Sequence, residues 1–270
     1  MTRVRSEQVR KAFGDVAVSV GEDLVATAEI RRPPDNFFDA GLIAALADAY
    51  AWLDADAGAR AIVLCSEGRH FCAGADFTGR SDQASPLAAA HGAREIYDEA
   101  VRLFQARLPV VAAVQGTAVG GGLGLACSAD FRVAGPQARF VANFARIGLH
   151  HGFGLTVTLP AIVGQQRAMD MLYTGRRIGG AEAVQIGLAD RFAEDGDVRA
   201  AARDLAAEIV MSAPLAIRSI RETMRAGLAE RVRAATDHEL AEQDRLWQTA
   251  DFAEGVRASA ERRVPRFYGR

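Results

Sequence analysis

Lysine and cysteine are both scarce in this chain. Lys11 is the only lysine among 32 basic residues, and it lies in a polar N-terminal segment. A lysine that forms a Schiff base must be desolvated, so the sequence argues against that class of enzyme. The three cysteines, Cys65, Cys72 and Cys127, lie in apolar surroundings without a CxxC or histidine-spaced pattern. We expect buried thiols in a reducing compartment and no metal site.

Long apolar runs and a strong net charge are also missing. No uninterrupted apolar stretch reaches the roughly 18 residues of a membrane span, and the opening residues, MTRVRSEQVRK, lack the apolar run of a signal peptide. We therefore expect a cytoplasmic protein that does not enter a membrane. The formal net charge of −2 gives no basic field for nucleic acid. A small anionic ligand could still meet a local arginine cluster.

The hydrophobic pattern predicts an α/β fold with a helical C-terminus. A chain of 270 residues, of which 50% are hydrophobic, can bury the core of one large domain. The pattern in the first two-thirds of the chain predicts a repeated ββα core over residues 1–200. The remaining residues, 201–270, are predicted to form a helical region. Strands are predicted at 16–20, 24–30, 60–65, 110–115, 130–134 and 139–143, and helices at 42–53, 94–107, 120–129, 155–163, 165–173, 181–187, 198–212, 214–229 and 231–263.

Two glycine-bearing turns are candidates for binding a ligand through the backbone. Residues 69–77, RHFCAGADF, follow a buried strand and contain small residues that allow close approach. Residues 114–124, VQGTAVGGGLG, run from a strand into a helix whose first N–H groups have no intrahelical partner. Such donors, reinforced by the helix dipole, suit a developing oxyanion. Taken singly, either turn also fits a phosphate loop, a dinucleotide fold or plain tight packing.

Together the two turns resemble the signature segments of the crotonase (enoyl-CoA hydratase/isomerase) superfamily. The resemblance continues in order and spacing over roughly residues 14–268, through CSADFRVA at 127–134, ARF at 138–140, YTGRRI at 173–178 and AEA at 181–183. It implies a crotonase-like ββα spiral and an acyl-CoA substrate, with coenzyme A as part of the substrate and no separate cofactor. It also implies a homotrimer or a dimer of trimers.

The resemblance assigns roles to particular residues. It implies that Ala75 and Gly121 donate the two N–H groups of an oxyanion hole for the thioester carbonyl. The residues that it places around the substrate are Ala73, Asp76, Phe77, Val119, Phe144 and Ile147. Asp76 and Asp130 also fit a structural role in which their carboxylates hold turns.

The pattern breaks where the family's acid and base belong. Hydratases of this family use two glutamates, and Gly124 and Phe144 stand at those positions here. Neither side chain can exchange a proton. We therefore expect the oxyanion hole without the family's usual acid and base. The reaction stays open between decarboxylation, hydrolysis, ring formation and a rewired hydration.

Polar residues near the same segments are candidates to fill this gap. Histidine is the most frequent general acid or base, and if Phe144 begins a helical or turn-like segment, His151 returns to the same face seven residues later. We therefore expect His151, or its neighbour His150, to transfer protons, with Arg146 as an electrostatic partner; both histidines also fit a turn cap or a subunit contact. The other polar candidates are His70 and Asn143.

Three functions remain distinct at this point. The first is an acyl-CoA-processing enzyme, including a decarboxylase or hydrolase that uses His151 or His150. The second is a non-catalytic acyl-CoA-binding protein, motivated by Gly124 and Phe144. The third, a serine hydrolase of related architecture, needs a Ser/His pair, and Ser128 lacks a nucleophile-elbow pattern.

Overall fold

A computed structural model describes residues 9–76 and 86–270 of the chain. Its strands are β1 Val9–Phe13, β2 Val16–Val20, β3 Val25–Ile30, β4 Ala61–Ser66, β5 Val110–Val114, β6 Thr117–Val119, β7 Phe131–Ala134, β8 Arg139–Val141, β9 Arg177–Gly179 and β10 Arg191–Phe192. Its helices are α1 Ala40–Asp56, α2 Pro86–Phe104, α3 Gly121–Ser128, α4 Leu155–Val163, α5 Gln165–Thr174, α6 Gly180–Gln185, α7 Val198–Val210, α8 Pro214–Met224, α9 Leu228–Trp247 and α10 Ala250–Ala260.

The strands form two sheets. The larger has seven strands in the order β1-β2-β3-β4-β5-β7-β10, and the smaller has three in the order β6-β8-β9. From β3 to β10 the strands of the larger sheet pair in parallel, while β1 to β3 are antiparallel. This arrangement confirms the predicted α/β class.

Alternation along the central strands separates two hydrophobic layers. Successive strand residues point to opposite faces. On β4, Ile62 and Leu64 belong to the main core with α1 and α2, whereas Ala61, Val63 and Cys65 pack on the other face with α7. The sheet is therefore covered on both sides, as expected for parallel strands.

The C-terminal helices close the main layer. Helix α9 packs along α2, and α10 contacts the 3-10 turn at Phe144–Ile147. Helix α7 crosses the predicted boundary at residue 200 and packs on β4 and β5, and the division at that residue stays a prediction. Within the described residues, no helix combines the length and the apolar character that crossing a membrane requires.

Several predicted elements are wrong. Strand β1 was not predicted, and the two short strands β9 and β10 interrupt a region expected to be almost all helix. The helix predicted over 214–229 ends at Met224, because Gly227 has φ +69° in the left-handed region and starts a new helix. The tail predicted over 231–263 is also divided, since the Thr249 hydroxyl caps α10 by accepting a hydrogen bond from the Phe252 N–H.

Candidate active site

The two glycine-bearing turns lie side by side. Cys72 and Ala118 form an isolated parallel bridge. The Cys72 N–H donates to the Thr117 carbonyl at 3.0 Å, and the Val119 N–H donates to the Cys72 carbonyl at 3.0 Å. Backbone hydrogen bonds therefore fix the spacing between the loop before Asp76 and the start of α3.

Glycine is required where the turns touch. Gly74 has φ +86°, and a Cβ there would lie 2.7 Å from the Val119 carbonyl oxygen and 3.7 Å from the Gly121 amide nitrogen. A Cβ on Gly121 would overlap the ring of Phe38. The contact at Gly74 is with main chain of the facing turn, so the close approach of the two turns depends on the absence of a side chain at that position. At Gly121 the contact is with the end of the Phe38 side chain.

Ala75 and Gly121 both line one cavity. Gly121 is the first residue of α3, where an N–H has no intrahelical acceptor and feels the positive end of the helix dipole. Among residues 9–76 and 86–270, neither the Ala75 N–H nor the Gly121 N–H donates to an acceptor. Both donors are thus available to a ligand in this cavity.

The cavity has a space of about 630 Å³, part of it open to solvent, and apolar residues dominate its lining. Ala73, Val119, Phe144 and Ile147, all predicted to contact substrate, lie in this lining. Asp76 lies in the lining of an adjoining space of about 540 Å³ that shares Ala73, Ala75, Asn143 and Ile147 with the first. Phe77, the remaining predicted contact, lies outside the described residues.

An aromatic ring fills the space beside Gly124, the residue that the resemblance aligns with the first family glutamate. A Cβ on Gly124 would lie 2.6 Å from Phe153 Cβ and 2.9 Å from two of its ring carbons. Phe153 is fully buried, has φ +62°, and packs its ring 5.5 Å from that of Phe38. Position 124 therefore lacks both a carboxylate and the room for one.

Phe144, which the resemblance aligns with the second family glutamate, contributes an apolar wall to the cavity. It begins the 3-10 turn, is buried, and reaches within 3.6 Å of where a Cβ on Gly120 would stand. The first cavity contains no carboxylate, imidazole or amine among its described lining residues.

The two adjacent histidines do not appear in the described lining of either cavity. The His150 Nδ1 lies 2.8 Å from the His151 carbonyl oxygen, and the His151 Nε2 lies 2.8 Å from Thr156 Oγ1. Their rings stack at 4.1 Å. Their expected role in proton transfer stays a prediction, without a cavity contact to support it.

A buried carboxylate accounts for the position of His151. The Glu239 side chain accepts hydrogen bonds from the Gly154 N–H at 2.8 Å, the Thr156 N–H at 3.0 Å and the Thr156 hydroxyl at 2.6 Å. Burial raises the pKa of Glu239. Burial, aided by His150 and His238, lowers the pKa of His151 to about 4, so that this imidazole is neutral at neutral pH.

The other sequence candidates are dispersed. His70 lies 3.9 Å from Asp35 and Arg146 donates to the Thr174 carbonyl at 2.6 Å, and neither is in the described lining of the cavities. Asn143 lines both cavities, and its side chain approaches Gly120. Of the polar candidates, Asn143 is therefore the one that the structure brings to the two turns.

Two further polar residues have structural partners. The Asp130 carboxylate accepts from the Val110 N–H at 2.8 Å and pairs with Arg221 and Arg225 at 2.9 and 2.8 Å. The buried Ser128 hydroxyl donates to the Leu125 carbonyl at 2.7 Å. Asp130 thus holds a turn, and Ser128 does not line either described cavity.

Sequence reasoning missed three polar side chains of the cavity. Tyr97 comes from α2, whereas Gln243 and Trp247 come from α9. The helical pattern indicated that these segments bury one face, but which face meets the cavity depends on how α2 and α9 pack together. No motif in the sequence carries that information.

Comparison with known proteins agrees with this fold. The model of the enoyl-CoA hydratase/isomerase family matches residues 21–270. The chain therefore belongs to the enoyl-CoA hydratase/isomerase family, within the crotonase superfamily.

Individual relatives extend over most of the chain. A "probable enoyl-CoA hydratase" of Rhodobacter capsulatus is 38% identical over 78% of this chain and 82% of that protein. The carnitinyl-CoA dehydratase of Proteus mirabilis is 32% identical over 88% of this chain and 93% of its own length. The crystal structure of an enoyl-CoA hydratase/isomerase from Pseudoalteromonas atlantica has a TM-score of 0.81 and 29% identity, covering 94% of this chain and 100% of that one.

Proposed function

We propose that this enzyme of the acyl-CoA-processing family binds a thioester in the first cavity and stabilises its oxyanion with the N–H groups of Ala75 and Gly121. The observation that carries the proposal is that Ala75 and Gly121 line one cavity on turns joined by the Cys72–Ala118 bridge, while neither N–H donates to an acceptor among the described residues. Preorganised donors act where negative charge develops, and losing one typically costs about 3 kcal/mol of transition-state stabilisation. The thioester carbonyl oxygen would lie between the two amides.

We further propose that this enzyme does not hydrate an enoyl thioester by the two-glutamate route. Gly124 and Phe144 cannot exchange protons, and Phe153 fills the space beside Gly124. General acid–base groups contribute about 10²–10⁴-fold each. Hydration of crotonyl-CoA is therefore expected to be absent or several orders of magnitude weaker than in a two-glutamate enzyme.

Decarboxylation is the alternative reaction that the apolar cavity favours. In a 2-carboxyacyl-CoA, the bond between the α-carbon and the carboxylate breaks, CO2 leaves, and the electron pair forms an enolate whose oxygen is bound by the two amides. This step needs no general base, and no base lies among the described lining residues. Burial of the departing carboxylate in an apolar wall also disfavours its charged form.

An assembly of three subunits, or a dimer of two such trimers, is proposed for the whole protein. Helix α8 exposes Leu215, Ile220 and Met224, and Met211 before it is exposed as well. Exposed apolar groups of this size commonly mark a protein contact. Sedimentation velocity of the purified protein tests the assembly.

A pair of double variants tests the oxyanion hole. Phe38→Ala makes room beside Gly121, and proline is tolerated at the first residue of a helix while lacking the N–H. We expect Gly121→Pro with Phe38→Ala to lose about 10²–10³-fold in kcat relative to Gly121→Ala with Phe38→Ala, which keeps the donor. Crotonyl-CoA, malonyl-CoA and methylmalonyl-CoA are the substrates, with products measured by mass spectrometry.

Three outcomes are distinguished. Equal rates in the two double variants would remove Gly121 from the mechanism. Binding of all three thioesters without turnover of any would favour the non-catalytic acyl-CoA-binding function. Fast hydration of crotonyl-CoA would contradict the proposed loss of the two-glutamate route.

A further inference from the structure

One tyrosine contributes to the described lining of this largely apolar cavity. Tyr97 comes from α2, is buried, and is part of the lining together with Ala75 and Gly121. The other described lining residues with polar side chains are Asn143, Gln243 and Trp247, whose amide and indole groups do not release protons near neutral pH. Tyr97 is therefore the one described side chain of the lining that can give a proton.

Neighbouring groups fix the Tyr97 hydroxyl in place. Its O–H donates to Gln243 Oε1 at 2.9 Å, and the Phe153 N–H donates to its oxygen. Gln243 is fixed in turn, because its Nε2 donates to the His150 carbonyl at 3.0 Å. The hydroxyl oxygen thus has a defined position between α9 and the loop before α4.

The loop is shaped around this hydroxyl. A Cβ on Gly152 would overlap the Tyr97 hydroxyl oxygen, so the approach requires glycine at position 152. The next residue, Phe153, has φ +62°, a conformation that few non-glycine residues adopt, and it presents its N–H to the same oxygen. The strained backbone of this loop therefore supports the hydroxyl position.

We propose that Tyr97 is a catalytic residue that protonates the α-carbon of the thioester enolate formed in this cavity. This inference rests on the proposed function, because it needs an enolate held by Ala75 and Gly121. The hydroxyl hydrogen rotates away from Gln243 toward the acyl group. The O–H bond then breaks and a C–H bond forms at the α-carbon, while the electron pair stays on the phenolate oxygen.

The environment suits a proton donor rather than a base. Burial, together with the charge of Glu239, raises the pKa of Tyr97, so the hydroxyl keeps its proton at neutral pH until an enolate is present. After transfer, the Phe153 N–H continues to donate to the phenolate oxygen. Solvent water returns the proton when the product leaves.

Tyr97→Phe, with Tyr50→Phe as a matched control, tests the proposal. Tyr50 is also fully buried, its hydroxyl has no partner among the described residues, and it does not line the cavity. On whichever of malonyl-CoA, methylmalonyl-CoA and crotonyl-CoA the wild type converts, Tyr97→Phe is expected to lose at least about 10²-fold in kcat with little change in KM. Tyr50→Phe is expected to keep kcat.

The solvent isotope effect distinguishes catalysis from packing. If Tyr97 delivers the proton, the wild type shows a solvent deuterium effect on kcat that changes in Tyr97→Phe, whereas a packing role alters Tm and leaves the isotope effect unchanged. A Tyr97→Phe enzyme with wild-type kcat and isotope effect would overturn the assignment. If adding Gly121→Pro to the Tyr97→Phe enzyme still lowers its activity, the proposed oxyanion hole is supported although Tyr97 is not catalytic.

A spectroscopic probe applies even if none of the three thioesters turns over. Acetoacetyl-CoA forms an enolate with its own ultraviolet band, and a hydroxyl donor beside that charge stabilises it. Tyr97→Phe is expected to move the pH at which the bound band appears upward by about one unit, the equivalent of tenfold in the equilibrium. No shift relative to Tyr50→Phe would refute contact between Tyr97 and the acyl group.

Discussion

The two halves of the cavity are built in different ways. The half that contains Ala75 and Gly121 is made of backbone, tied by the hydrogen bonds at Cys72 and kept narrow by glycines. The opposite half is made of side chains, with the ring of Phe144 in the lining and the ring of Phe153 against Gly124. The proposed oxyanion binding depends on main-chain geometry, whereas proton transfer depends on which side chains fill the space, so substitutions can alter the two separately.

Introducing a carboxylate at position 124, in the half of the cavity made of side chains, should have the largest effect, a loss of stability. Gly124→Glu places its Cβ against Phe153, which can relieve the contact only by moving the backbone of its own loop. Overpacking costs about 1–3 kcal/mol and burial of an unpaired carboxylate adds to it, so we expect a loss of at least about 3 kcal/mol in the free energy of unfolding. Urea denaturation measures it.

Gly179→Glu is the matched control for that change. A Cβ on Gly179 would meet no atom within 4 Å, so the same substitution there is expected to change stability by less than about 1 kcal/mol. Equal losses at the two positions would mean that Phe153 does not fill the space beside Gly124.

Position 144 offers a less costly way to supply a carboxylate. Isomerases of the family work with only the second glutamate, and Phe144 lies in the cavity lining. Phe144→Glu is expected to raise isomerisation of 3-hexenoyl-CoA to 2-hexenoyl-CoA by about 10²-fold over the wild type. Phe144→Gln, which cannot exchange a proton, is the control, and an equal gain in both would point to polarity instead of proton transfer.

A smaller effect is expected from His151 on the pH dependence of stability. The native pKa of about 4 lies below the ordinary value of 6.5, so between these values the unfolded state binds a proton that the native state does not. Stability that is fully present above pH 6.5 is therefore lost as pH falls toward 4, by on the order of 3 kcal/mol. His151→Gln should flatten this part of the curve.

Chemical denaturation at several pH values between 4 and 7 measures the difference between wild type and variant. Glu239, whose raised pKa acts in the opposite direction, is present in both proteins, so the difference isolates His151. His70→Gln is the matched control, because His70 lies away from His151 and Glu239. An unaltered curve in His151→Gln would show that the imidazole is not desolvated.

Replacing either histidine is expected to have the smallest effect of all, on turnover. Because neither ring is in the described cavity lining, we expect His150→Gln and His151→Gln to keep kcat within a few-fold. Loss of one limb of the pH–rate profile in either variant would confirm that histidine as the proton-transfer residue predicted from the sequence.

The sequence was informative about the backbone half for a physical reason. Small residues in the two turns are contiguous in the chain, and the strand-to-helix transition at Gly121 is a local feature. The sequence also predicted that His151 returns to the side of Phe144, and their rings lie 6.4 Å apart, although His151 is not in the described lining of either cavity. The 3-10 turn ends at Ile147 and Gly148 adopts φ +72°, so this proximity does not come from a continued helix.

Long-range packing could not be predicted from the sequence patterns. Phe153 fills the space beside Gly124 through an unusual backbone conformation, and Tyr97 meets Gln243 across 146 positions of the chain. Neither contact has a periodic signature. The ββα order and most helices could be predicted because each depends on neighbours within a few turns.

The contacts made by α9 have a consequence for the order in which the protein is made. Gln243 and Trp247 line the cavity and Glu239 accepts a hydrogen bond from the loop that contains Phe153, yet all three are synthesised after both glycine-bearing turns and after every strand among the described residues. A nascent chain that ends before α9 already contains Ala75 and Gly121, but it lacks the helix that binds the loop of Phe153. On the ribosome, therefore, competence to enclose an acyl group is among the last properties that this chain acquires.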